Sequence, residues 1–146
     1  MIQKALFVGF AVLAASFVMP AYAYMYAAQD ATTSNILPQT QYISIDGIIG
    51  LEKTTLSFHS PTSNDLPWGF VEGNITNHVS GHPVIIQFFR DGQAVHFAQV
   101  DVSDTGAYEY KFRILDYIDG QTINVFEGDY TVIIFKTVYL PGANPI

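Results

Sequence analysis

Cysteine is absent from this chain of 146 residues. That removes disulfides, cysteine nucleophiles, iron–sulfur clusters and copper sites of the blue type. Charge is scarce as well, since Asp, Glu, Lys and Arg make up 13% of the chain. Basic side chains are the scarcest, 6 Lys and Arg against 13 Asp and Glu, for a formal net charge of −7. A surface of that sign repels phosphate backbones and anionic headgroups, so nucleic acid is not an expected partner. After the N-terminal segment no apolar run is long enough to cross a bilayer as a helix. No serine sits in a nucleophile elbow, and spacing alone singles out no carboxylate pair. Neither an enzyme nor a cofactor is expected.

What is present points to strands. Hydrophobic residues are 49% of the chain, with 9 Tyr and 11 Phe. Such a composition supports a packed core rather than a disordered chain, and its aromatic and β-branched residues favour sheets. The first residues follow a processing pattern. Lys4 supplies a positive start, Leu6 to Met19 is uncharged and apolar, Pro20 breaks the run, and Ala21-Tyr22-Ala23 fits a small-x-small cleavage site. This predicts a signal peptide over residues 1–23 and an exported chain. Membrane attachment follows only if that segment is retained. Cleavage removes Lys4, so the remaining net charge is 5 − 13 = −8.

Residues 24–40 read as a flexible leader, 41–140 as one domain and 141–146 as a tail. Within the domain, short apolar runs alternate with turn residues, which predicts about seven strands. They are "YISI", "TTLSFHS", "WGFVEGNIT", "VIIQFF", "AVHFAQVDV", "AYEYKFRI" and "DYTVIIFKTVYL". Gly69 and Gly73 suggest a bend or bulge in the third. Asp91-Gly92 suits a tight hairpin, because both residues tolerate a positive φ. The fifth run is out of phase with itself, and a bulge near Phe97 or Ala98 would reconcile it. Tyr108, Tyr110, Phe112 and Ile114 share one face of their strand, opposite Glu109, Lys111 and Arg113. The fourth and last runs are apolar on both faces.

Gly73, Gly81-His82-Pro83-Val84, Asp91-Gly92 and Gly128-Asp129-Tyr130-Thr131-Val132 stand at successive turn and strand-entry positions. Over residues 70–136 the chain resembles the Ig-like and fibronectin-like modules of exported prokaryotic proteins, of the type abundant in ammonia-oxidising archaea. The resemblance implies an Ig-like antiparallel β-sandwich. It also implies an adhesive, binding or structural role at the cell surface, with no catalytic residues to carry over. It suggests Tyr130 as a corner tyrosine whose hydroxyl bonds nearby backbone.

Several residues invite a sharper reading. His78 and His82 are four apart but fall in a loop with Gly81 and Pro83, so the helical argument for two ligands on one face fails. With His96 or Asp101 they are weak metal candidates, and solvated loop histidines are the expected outcome. Asp101 and Asp104, and Asp116 and Asp119, read as turn residues rather than calcium ligands. Asn74-Ile75-Thr76 is a glycosylation sequon inside an expected strand. Trp68 with Phe70 could stack on a sugar ring or simply pack.

The interaction surface follows from phase. If Tyr130, Val132 and Ile134 face the core, Ile133, Phe135 and Tyr139 face outward, as Ile85 and Phe89 do on the fourth run. The two strands sharing a sheet would join these five into one patch, the expected site for an envelope or surface protein, or for a second copy. The alternatives are a binder of a glycan or metal ion, an accessory subunit of a membrane-bound enzyme complex, or a face covered internally by residues around Leu51 to Phe58.

Overall fold

A computed structural model describes residues 24–26, for backbone only, and residues 37–143. The expected signal peptide, most of the leader and the last three residues lie outside them. Among the described residues there are ten strands, all in antiparallel sheets, and no helix. A five-stranded sheet has the order β2 (Gln39–Ser44), β3 (Ile49–Ser60), β10 (Gly128–Tyr139), β5 (Val84–Arg90), β6 (Gln93–Val100). A second sheet has the order β1 (Tyr24–Tyr26), β4 (Trp68–Asn74), β7 (Ala107–Arg113). β8 (Leu115–Ile118) and β9 (Gln121–Asn124) make a small hairpin.

The inner faces of the two larger sheets meet in one core. Phe112 on β7 lies 5.7 Å from Phe58 on β3 and 5.0 Å from Phe88 on β5, ring centre to ring centre. Phe126, just before β10, closes the cluster at 5.2 Å from both Phe112 and Tyr130. Edge-to-face aromatic pairs of this kind add about 0.5–1.5 kcal/mol each beyond burial. The alternation read from the sequence holds on three strands: Val84, Ile86 and Phe88, then Tyr108 and Phe112, then Tyr130, Val132 and Ile134 are all buried.

The Asp91-Gly92 hairpin is present, with φ of 51° and 76°. Asp119-Gly120 repeats it between β8 and β9, with φ of 51° and 80°. The bulge lies at Val95, where Phe88 pairs with His96 and Phe89 with Ala94. That extra residue turns His96 and Ala98 inward and Phe97 outward. Gly69 and Gly73 make no bulge, since β4 pairs β7 without a break from Trp68↔Arg113 to Asn74↔Ala107. They are glycines because aromatic rings cross them: a Cβ at Gly69 would enter the Phe112 ring, and one at Gly73 would lie 2.6 Å from the Tyr108 hydroxyl.

Three expectations need correction. β3 is 12 residues long and starts at Ile49, well before "TTLSFHS". β2 begins at Gln39 and β1 falls on Tyr24–Tyr26, so the segment read as leader contributes strands. β8 and β9 went unrecognised because their outward residues Tyr117, Ile118 and Ile123 are exposed apolar groups, which hides the alternation.

Candidate interaction surface

In an antiparallel ladder, residues directly opposite point the same way. The register of the five-stranded sheet therefore lays out its outer face row by row. One row runs Phe97, Gln87, Ile133, Thr55, Gln39. The next runs Gln99, Ile85, Phe135, Lys53, Gln41. Phe89 faces Thr131 on one side of these rows; Leu51 and Ile43 lie on the other, followed by Tyr139 against Ile49. Ile85, Phe89, Ile133, Phe135 and Tyr139 thus lie on one face, joined because β5 and β10 are neighbours. Leu51, Ile43 and Phe97 extend that set, and reasoning from one strand at a time missed them. β3 lies beside β10 within the sheet rather than across its outer face, so Leu51 to Phe58 are neighbours of the patch and do not cover it.

All five residues are half-buried by their strand neighbours, whereas Ile43 is 47% and Phe97 59% exposed. Acid is nearly missing from this face. Among the described residues its outward positions carry one carboxylate, Asp129, at the rim and 2.7 Å from His59. Lys53 is the other charged side chain there. The second sheet differs. Its outer face pairs Trp68 with Arg113, Phe70 with Lys111 and Glu72 with Glu109. Lys111 and Arg113 lie 4.2 Å and 4.5 Å from the Trp68 ring centre, so the indole a sugar would stack on is already engaged by two cations.

The histidines are dispersed. His82 is exposed in its loop, and His78 is half-buried, bridged to Val138. His96 turns toward the core, its Nε2 2.5 Å from the Tyr110 hydroxyl and its ring 5.4 Å from Phe88. Burial holds the imidazole below its ordinary pKa and pushes the Tyr110 phenol up, which favours the neutral form of both groups, and the imidazole tautomer sets which of them donates. This bond ties edge strand β6 of one sheet to edge strand β7 of the other. Among the described residues no group of three or more His, Asp or Glu side chains is placed to hold a metal ion. Asp101 and Asp104 are exposed, and Asp116 accepts from Arg113 and from the Tyr117 amide. Asn74 is exposed at the end of β4, where its side-chain amide donates to the Thr105 carbonyl.

One buried polar group escaped the sequence reading. Lys136 is 2% exposed, inward between Ile134 and Val138. Its ammonium donates to Glu52 at 2.6 Å and to the Thr54 hydroxyl at 3.3 Å. The signal was available, because position 136 continues the inward phase of 130, 132 and 134. Burial, with Glu52 nearby, pushes the phenol of Tyr108 well above its ordinary range. Tyr130 does bond backbone, its hydroxyl accepting the Glu127 N–H at 3.0 Å.

A scan against protein-family models and searches of curated proteins and of solved structures found no match to this chain.

Proposed function

We propose that this chain is an exported, non-catalytic binding module of Ig-like type, working at the cell surface through the outer face of its five-stranded sheet. The observation that carries the reading is the contrast between its two outer faces. One is charged and ordinary; the other carries a band of apolar side chains among Gln and Thr and is almost free of acid in a strongly acidic chain. Isolated exposed apolar residues need no explanation, but a contiguous patch of several hundred Å² marks an interaction surface. Two features favour the Ig-like topology. β4 and β7 lie in one sheet and β6, β5 and β10 in the other, as strands B, E and C′, C, F do in such folds. The Tyr130 bond resembles a tyrosine corner at the start of strand F. The place beside β10 that a following strand would take is held by β3, which precedes it in the chain.

The test is a Phe135→Asp plus Ile133→Lys variant. The expected protein keeps its circular dichroism and a cooperative urea transition but loses its association. Loss of folding would assign the face to the core and end this reading. Export is checked by mass spectrometry of the chain from its native envelope, where a mature start after Ala23 is expected and retained residues 1–23 would contradict it.

A further inference from the structure

We propose that the occupant of this face is a second copy of the chain, packed sheet on sheet about a two-fold axis lying between the two faces. The inference rests on the reading of the face as an interface and names what fills it. Charge supports a second copy. At 5 − 13 = −8 for the exported chain, copies repel wherever their acids meet. The outer face of the other sheet already sets Glu72 opposite Glu109, and the turns carry Asp46, Asp91, Asp104 and Asp119. The five-stranded face offers only Asp129, held at the rim by His59. Two copies meet there with one Lys53 and one rim Asp129 each, and without a set of opposed acids. Lys53 can lay its stem along the apolar surface and keep its ammonium at the edge.

Area points the same way. Five strands spaced about 4.8 Å apart and six to twelve residues long, at about 3.3 Å each, span roughly 475–950 Å². A stable interface takes about 800 Å² from each partner. The pattern is also self-complementary. The apolar side chains form a diagonal band from Phe97 and Phe89, through Ile133 and Phe135, to Leu51 and Tyr139. Gln39, Gln41 and Gln99 flank it, and Gln87 stands within it between Phe97 and Ile133, a mainly apolar centre with a polar border. A two-fold axis along or across that band superposes it on itself, which an isologous contact requires. In either case the middle of the band, at Ile133 and Phe135, meets its own copy.

The absence of cysteine makes the test clean. The full exported chain is examined by sedimentation over a concentration series, together with single Ile133→Cys and Glu109→Cys variants treated with a short bis-maleimide. The expected result is a closed monomer–dimer equilibrium, cross-linking at dimer mass for Ile133→Cys and none for Glu109→Cys. Phe135→Asp should weaken the dimer at least tenfold with unchanged circular dichroism. A chain that stays monomeric into the millimolar range, an open series of larger oligomers, or equal cross-linking from Glu109→Cys would overturn the proposal while leaving the face free for another partner. Unfolding of Phe135→Asp would instead bring down the underlying reading.

Discussion

Glu52→Gln should destabilise this protein more than almost any other change that preserves side-chain volume. Lys136 and Glu52 face each other across β10 and β3, with side chains 3% and 14% exposed. Gln keeps the shape and a hydrogen bond but removes the counter-charge, leaving an ammonium buried between Ile134 and Val138, both fully enclosed. Breaking a buried pair from one side costs about 3–5 kcal/mol. That is a large part of the 5–15 kcal/mol typical of a domain. At about 4–8 °C per kcal/mol for a domain near 100 residues, the melting temperature should fall by at least roughly 12 °C. Lys136→Met should cost less, about 1–3 kcal/mol, because Glu52 sits nearer the rim and keeps some water. The pair replaced together, Glu52→Leu with Lys136→Met, should return to within about 1 kcal/mol of the wild type or exceed it. Urea unfolding followed through Trp68, the one tryptophan, and through far-ultraviolet circular dichroism measures all three. If Glu52→Gln costs under about 1 kcal/mol, or the double variant is as unstable as Glu52→Gln, the pair is solvated and the reasoning fails.

Two further outcomes follow from other polar contacts. Burial lowers the His96 pKa below 6.5 in the folded state, so the unfolded chain takes up the proton first; stability is full above about pH 6.5 and falls as pH drops below it. A His96→Gln variant should flatten the pH 5–7 part of the stability curve, apart from the Asp46 and Glu127 carboxyls, which backbone and side-chain hydrogen bonds hold below 3.8 and 4.5 and which act only in more acid solution. Tyr130→Phe removes the acceptor of the Glu127 amide and should lower the urea midpoint by the equivalent of about 1–2 kcal/mol at constant slope; an unchanged midpoint would mean that water replaces the hydroxyl.

Much of the fold was legible where one face of a strand is plainly wet. β7 announced itself because Glu109, Lys111 and Arg113 alternate with Tyr108, Tyr110 and Phe112. The Asp91-Gly92 hairpin was legible because its backbone conformation restricts the residues that fit. The patch on β5 and β10 was legible by phase, but its extent was not, since Leu51 and Ile43 join it only through the distant pairing of β3 with β10, and Phe97 only through the bulge that turns it outward. Gly69 and Gly73 were misread because their cause is non-local: the rings they accommodate lie on β7. Lys136 was passed over because a charge in an apolar run reads as outward, and only its partner on β3 explains the opposite.

Lys136 bears on how the sheet chooses its inner face. On β10 the inward set is Tyr130, Val132, Ile134 and Val138, and the outward set includes Ile133, Phe135 and Tyr139. Hydrophobicity hardly separates them, yet a one-residue slip would exchange the two faces. The discrimination must come from groups that accept one partner only. Lys136 finds its carboxylate only when it pairs with Glu52, and the Tyr130 hydroxyl meets the Glu127 amide only when it points inward. In the slipped register Lys136 would turn to the outer face, away from an inward Glu52. A buried ion pair that adds little net stability can therefore still decide the register, a hypothesis that the double variant of Glu52 and Lys136 tests directly. It should match the wild type in urea yet show extra or broadened amide resonances from a second register. A single sharp set would assign the choice of face to the aromatic cluster instead.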